Sequence, residues 1–453
     1  MESLPSSTNT NFKWITIVLV LVGVTSLALY CAGLRVDGTK DILWFLKLVA
    51  CQAALYLIAS WAILRARPAK SLVLIVIVFA VLFRLSILFS PPYLSDDIYR
   101  YVWDGRVQAA SINPYRYVPA EPSLAQLRDE TIYPKVNRRD YAHTIYPPVA
   151  EATYFLTTRI SESVTWMKAT MFGFEAIAVW AIVQLLASFR ISRQRILIYA
   201  WHPLIVWEFA GSGHVDAVAI AFIALALMAR QRDAEALTGI ALACATLVKV
   251  FPVVLFPALY RRWGWKMPLA FAVSIAVAYL PYLSVGPVAV FGFLPGYITE
   301  QGLATGEQFY LLSVARKLAG GADVPNTAFL TIALVTMLGI AAWSILKEER
   351  HADSNIRRAC VLATVAIVLF APHYSWYFAW LVPFLCFVPL PSLFYLTVAS
   401  FVLYRTWLGD NPEQMFWMNT AIYLPFALLV AIELLIRHAR LKSAQQQRES
   451  LSR

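Results

Sequence analysis

Charged side chains are scarce in this chain. Asp, Glu, Lys and Arg make up 14% of its 453 residues, where a soluble domain carries about 25%. That is too little to cover a water-facing surface, so an ordinary soluble enzyme is excluded. Cysteine is scarce as well. Cys31, Cys51, Cys244, Cys360 and Cys386 are odd in number, lie in or beside apolar runs and lack zinc-like spacing, which argues against a disulfide framework or a structural zinc. The sequence shows no internal repeat of the kind that marks many secondary transporters. No small-residue cleavage site follows the first apolar run, so Trp14–Leu34 reads as a first helix and not as a removed signal peptide.

What the chain has instead is apolar length. Hydrophobic residues reach 60%, in runs that approach the roughly 20 residues of a membrane span. The runs are Trp14–Leu34, Ile42–Leu64, Ser71–Ser90, Val164–Ser188, Ile196–Ala210, Val215–Ala229, Pro268–Leu283, Ala328–Leu346, Ala359–Ala371, Trp376–Phe387, Ser392–Leu408 and Met415–Ile436. The expected fold is one all-α polytopic transmembrane bundle over residues 1–453, with about 12–14 spans.

The formal net charge of +11 sits in short basic loops between these runs. They are Arg65–Arg67–Lys70, Arg190–Arg193–Arg195, Arg230–Arg232, Arg261–Arg262–Lys266, Lys347–Arg350–Arg357–Arg358 and Arg437–Arg440–Lys442. Basic loops set membrane orientation and require no nucleic-acid partner. Placing them all in the cytoplasm puts both termini inside. The segment Thr238–Tyr260 then begins and ends inside, too short for two spans and interrupted by Lys249 and Pro252. Two half-helices meeting at membrane depth fit that constraint, provided protein or a water-filled cavity covers the break. The same arithmetic places residues 91–147 and 285–326 outside as two polar loops.

The first outer loop carries the densest chemistry. It reads Ser95-Asp96-Asp97-Ile98-Tyr99-Arg100-Tyr101-Val102-Trp103-Asp104-Gly105-Arg106, continues to Asn113-Pro114-Tyr115 and ends Tyr141-Ala142-His143-Thr144-Ile145-Tyr146-Pro147-Pro148. On a helix Asp96, Arg100 and Asp104 recur every four residues and share a face. Ser95 suits an N-cap, the two aspartates the first turn and Gly105 the C-terminus. A short surface helix would account for that much. Position argues for more, because the acidic pair directly follows a transmembrane run, where solubility does not call for it. A partly desolvated carboxylate near Arg100 can act as a general base.

An Asp-Asp pair after an early transmembrane helix, followed by Tyr-Arg-Tyr-x-Trp-Asp-Gly, Asn-Pro-Tyr and Tyr-Pro-Pro, resembles the GT-C superfamily of membrane glycosyltransferases. More narrowly, it resembles the bacterial polyprenyl-phosphate-mannose-dependent mannosyltransferases. The resemblance implies that Asp97 or Asp96 is the catalytic base; beside it Arg100, expected to orient the base, and Asp104 and Tyr146 are read as substrate-binding residues. One departure is that the family places this loop after its first helix, whereas here it follows the third apolar run.

Transfer of a sugar from a lipid phosphate also needs cationic or hydrogen-bonding groups for the departing phosphate, and inversion needs a single base. Lys249, in Thr246-Leu247-Val248-Lys249-Val250-Phe251-Pro252, is an intramembrane cation and therefore a functional candidate. The competing reading is a lysine snorkelling to the cytoplasmic surface. The resembling family has a similar Lys-x-x-Pro segment. In Gly211-Ser212-Gly213-His214-Val215-Asp216 the glycines break a helix, and a turn could aim His214 and Asp216 at the site; a plain cap and turn reads equally well. His373 and Tyr374, in Pro372-His373-Tyr374-Ser375-Trp376-Tyr377, match a His-Tyr segment of the family, although Tyr and Trp also anchor helices at membrane interfaces. Glu300, Gln301, Glu307, Gln308 and Tyr310 in the second outer loop are weaker sugar or acceptor contacts.

The resulting expectation is an inverting glycosyltransferase of the cytoplasmic membrane, working among membrane lipids with its site on the periplasmic or extracellular face. It moves a hexose, mannose in the first reading, from a polyprenyl-phosphate donor to a lipid, glycan or protein acceptor. No cofactor is called for, and a divalent metal stays open as an alternative that one aspartate pair supports only thinly, because such sites gather several oxygen ligands. A transporter or lipid flippase would need charges paired inside several helices and repeated halves. A polysaccharide ligase would lean on Arg and His without an early acidic pair.

Overall fold

The computed structural model describes residues 7–35, 41–92, 94–307, 309–320, 324–347, 351–409 and 411–451; Gln308 and Arg350 lie outside the described residues. Among the described residues every regular element is helical. Seven helices are long and apolar enough to cross a membrane, so the chain is a membrane protein built as a polytopic bundle. Those before the centre of the chain are α1 (Ser7–Gly33), α2 (Ile42–Arg65), α3 (Lys70–Leu88) and α6 (Val164–Ser188). Three more follow at Lys266–Val285, Asn326–Leu346 and Pro412–Gln447.

The remaining apolar runs do not form full-length straight spans. Ile196–Ala210 divides into a 3₁₀ turn at Arg193–Ile196, short helices at Leu197–Ala200 and Pro203–Ile205, and a π turn at Val206–Gly211. Pro203 cannot donate to a helical ladder, and the broken backbone is buried in protein instead of lipid. Likewise 375–385 runs as a 3₁₀ helix into the short Val382–Leu385 helix, and 391–408 passes from helix to 3₁₀ at Ser400. Asp216–Gln231 is a 16-residue helix whose side chains are almost all buried. Apolar on every face between Asp216 and Arg230, it is buried in the bundle, where helix length need not match a bilayer.

Buried charges tie the bundle together. Arg84 of α3 is paired with Glu175 of α6, both under 4% exposed, and donates to the Ala80 and Ala200 carbonyls at 2.8 Å each. Lys168 donates to the carbonyls of Ile87 and Ser90 at 2.9 and 2.8 Å, holding the end of α3 where the first outer loop begins.

That loop is ordered by two more helices, α4 (Asp97–Ala109) and α5 (Pro148–Thr158). Gly105 lies inside α4, not at its C-terminus as the sequence predicts, and packing explains why. A Cβ there would come 2.6 Å from the Tyr154 carbonyl of α5 and 2.7 Å from the Thr158 side chain. Only glycine lets the two helices approach this closely. Gly105→Ala is therefore expected to destabilise the protein by about 1–3 kcal/mol, read as a lowered melting temperature in detergent. The second outer loop is fastened to the first by Gly292, where a Cβ would fall 1.9 Å from the Thr144 carbonyl; the neighbouring Phe293 amide donates to that carbonyl at 3.1 Å.

Candidate active site

The two outer loops, the break in 235–259 and the segment 373–377 enclose one cavity of about 930 Å³. Ligand pockets usually hold roughly 300–1,000 Å³ and gather a few polar groups within apolar walls. The polar groups here include Asp96, Asp97, Asn137, Arg138, Lys249 and His373.

Asp97 opens α4, its amide donating to the Ser95 hydroxyl at 3.2 Å. Asp96 precedes the helix with φ −102° and ψ 0°. The Asn137 side-chain amide donates to both carboxylates, at 2.9 Å to Asp96 and 2.8 Å to Asp97. The pair differs in depth. Asp96 is exposed, whereas the Asp97 side chain is a fifth exposed and its Oδ2 lies 3.9 Å from Nδ1 of the buried His214. Burial raises the Asp97 pKa; the positive charge of Lys249 opposes the rise most, the charge of Asp96 adds to it, and the Asn137 bond and Arg138 oppose it.

The 235–259 segment folds as two half-helices, Glu235–Thr246 and the turns Phe251–Leu255 and Phe256–Leu259. Lys249 stands at the break, 14% exposed, with Nζ 2.7 Å from Asp216 Oδ2 and 5.0 Å from the Tyr377 ring centre. Asp216 is fully buried, and its other oxygen accepts from the Trp380 indole at 2.7 Å. An ammonium has three donors, so one bond to Asp216 leaves others for the cavity. His373 and Tyr374 also line the cavity. Tyr374 stacks on Trp376 at 4.5 Å, and Trp376 stacks on His214 at 4.2 Å, giving a continuous aromatic floor. Tyr146 lines the cavity and packs edge-on against Tyr101 and Tyr154.

Several expected site residues are placed elsewhere. Arg100 does not meet Asp97. Its Nε donates to Asp104 at 2.8 Å and its Nη1 to the Ala142 carbonyl at 3.1 Å, with both charged side chains buried away from the cavity. The four-residue spacing from Asp96 fails because Asp96 is not helical, so Arg100 and Asp104 staple α4 to the end of the loop. His214 and Asp216 lie one layer behind the cavity wall. Gly213, at φ +77°, turns the chain inward at His214, which packs under Trp376 beside Glu208 (3.3 Å). In the second outer loop, Gln301 lines the cavity, and Glu300 both lines it and holds Arg138 at 2.8 Å and the Tyr141 hydroxyl at 2.9 Å. Tyr310 stacks on Tyr423, away from the site.

Three residues entered without a sequence reading. Asn137 and Arg138 had a signal in Asn137-Arg138-Arg139, a polar run late in the outer loop, but nothing in it indicated that the chain returns to Asp97. Glu208, fully buried and bonded by the Tyr404 hydroxyl, lies near the end of the apolar run Ile196–Ala210, where only its charge sets it apart. Among the described residues, no group of three or more His, Cys, Asp or Glu converges as a metal-holding set.

Residues 15–266, just over half of the chain, match the family described as alpha-(1->6)-mannopyranosyltransferase, N-terminal domain (MptA_B family). The match includes Asp96, Asp97, Asn137 and Lys249 and ends before the second outer loop and His373. No curated protein matches the chain. The chain belongs to this family of mannosyltransferases.

Proposed function

From that membership, we propose that the protein transfers mannose with inversion from a polyprenyl-phosphate donor to a glycan hydroxyl, forming an α-(1→6) linkage on the outer face of the cytoplasmic membrane. The observation that carries this reading is the shared cavity. It holds a partly buried carboxylate, Asp97, and a cation, Lys249, that is close enough to act on the carboxylate's charge. A nucleophile-activating base and a phosphate-binding cation are the two groups the reaction needs.

In the proposed step the acceptor hydroxyl loses its proton to Asp97 as its oxygen bonds to the anomeric carbon. The bond from that carbon to the phosphate oxygen breaks on the opposite face, and the electron pair leaves with the polyprenyl phosphate. Lys249 and His373 meet the developing phosphate charge, with Arg138 as a second cation on the rim. Tyr146 and Tyr374 line the cavity where the sugar would sit, with Trp376 stacked beneath Tyr374. Asp216 holds Lys249, His214 backs Asp97 and Trp376, and Arg100 with Asp104 fixes the helix that presents the base.

The test is transfer of label from radiolabelled polyprenyl-phosphate-mannose to a mannan oligosaccharide by purified protein, without nucleotide sugar. The expected product is extended by one α-(1→6) mannose. Transfer from GDP-mannose but not from the lipid would refute the donor assignment.

A further inference from the structure

A second cavity, of about 1570 Å³, lies away from the active site between the helices Ser354–Phe370 and Pro412–Leu451. We propose that it binds an anionic phospholipid of the leaflet that carries the basic loops, with the phosphate at Arg437 and Arg440 and the acyl chains in the trough.

Both walls change character in the same direction. On Ser354–Phe370, Arg357 lines the mouth and Val361, Val365 and Val368 line the trough beyond it. On Pro412–Leu451, Arg440 and Arg437 line the mouth, and Leu434, Val430 and Phe426 follow inward. These residues recur at helical spacing, so each set lies on one face. The helices face each other with the start of one beside the end of the other. Arg357, Arg437 and Arg440 are thereby gathered at one end, and Val365, Val368, Val430 and Phe426 lie toward the other. From Arg357 to Val368 is about 16 Å at 1.5 Å per residue, and one leaflet is about half of a roughly 30 Å hydrocarbon core. The trough is one leaflet deep.

The charge at the mouth is not balanced from within. Asp353 is taken by Arg357 at 2.8 Å, and Glu433 accepts from the Ser392 amide and hydroxyl at 2.8 Å each. Arg358 is turned to the Ser344 and Lys347 carbonyls. Arg437 and Arg440 are exposed and make no hydrogen bond or ion pair with any described residue. Orientation alone would explain basic residues here, but not the space beneath them. The cleft beside Arg230 and Arg261, at another basic loop, has no room for a water molecule. A basic pocket between membrane helices recognises an anionic head group by charge, and the apolar trough takes the chains of the same molecule.

The experiment is native mass spectrometry of the full chain, exchanged into equal amounts of phosphatidylglycerol, phosphatidylethanolamine and phosphatidylcholine. Phosphatidylglycerol should be retained preferentially. Arg437→Gln with Arg440→Gln should weaken its retention by roughly 30-fold, about fivefold for each charge lost. Val430→Trp should reduce retention by filling the trough without changing charge. Equal retention of the three lipids by the wild type would overturn the proposal, as would undiminished phosphatidylglycerol in the double arginine variant. Displacement of phosphatidylglycerol by low polyprenyl phosphate would also overturn it, by showing a substrate site.

Discussion

Asp97→Asn leaves a folded protein with transfer reduced by about 10²–10⁴-fold, the usual worth of a positioned base. The amide keeps the shape of the carboxylate, so Ser95 still meets the start of α4, and donor binding at Lys249 is unaffected. Asp96→Asn has a smaller effect. Its carboxylate is exposed and lies outside the helix, and in this arrangement its charge only raises the pKa of its neighbour. The check is single-turnover transfer by both variants, with donor affinity measured separately. Full activity in both would remove the base assignment.

The same carboxylate sets the pH dependence. A base works only when ionised, and burial raises the Asp97 pKa above the ordinary carboxylate value of about 3.9. The rate therefore falls with acidity at a higher pH than an exposed aspartate would give. Asn137→Ala removes a hydrogen bond that favours the ionised form and shifts the acid limb upward. Asp96→Asn removes a neighbouring negative charge and shifts it downward. Opposite movements in a pH–rate profile would distinguish tuning of Asp97 from a general loss of structure.

The parts of the fold that could be read from sequence were those governed by one local rule. Val164–Ser188 is a helix over the same residues as its apolar run, because a span in lipid satisfies its own backbone. The break at Lys249 was expected from the basic loops: with all of them assigned to one side, a 23-residue segment between two of them has to fold back. What stayed hidden depends on distant partners. Asp96, Arg100 and Asp104 have perfect helical spacing, yet the helix starts one residue too late for the first of them. Ile196–Ala210 has a span's composition, but neighbouring helices cover its irregular backbone and remove the need for a straight one. Asn137 reaches Asp97 across 40 residues of loop, a contact that no periodicity encodes. The glycine at 105 looked like a terminator because the helix pressed against it lies 43 residues further on.

Lys249→Met should show two separable losses. Asp216 is fully buried and bonded to Lys249 at 2.7 Å, so removing the lysine strands a carboxylate. Breaking such a pair from one side costs about 3–5 kcal/mol, which would appear as a lower melting temperature. Donor affinity should also fall roughly 10- to 100-fold, the worth of a lost charge-assisted bond to phosphate. Pairing the change with Asp216→Asn removes the stranded charge, and the Asn side chain still offers an oxygen to the Trp380 indole. The double variant should regain most of the stability and none of the donor affinity. A lysine held only to satisfy Asp216 predicts recovery of both. Measuring melting temperature and the donor's KM on the same two variants therefore decides whether Lys249 serves the fold alone or also the phosphate.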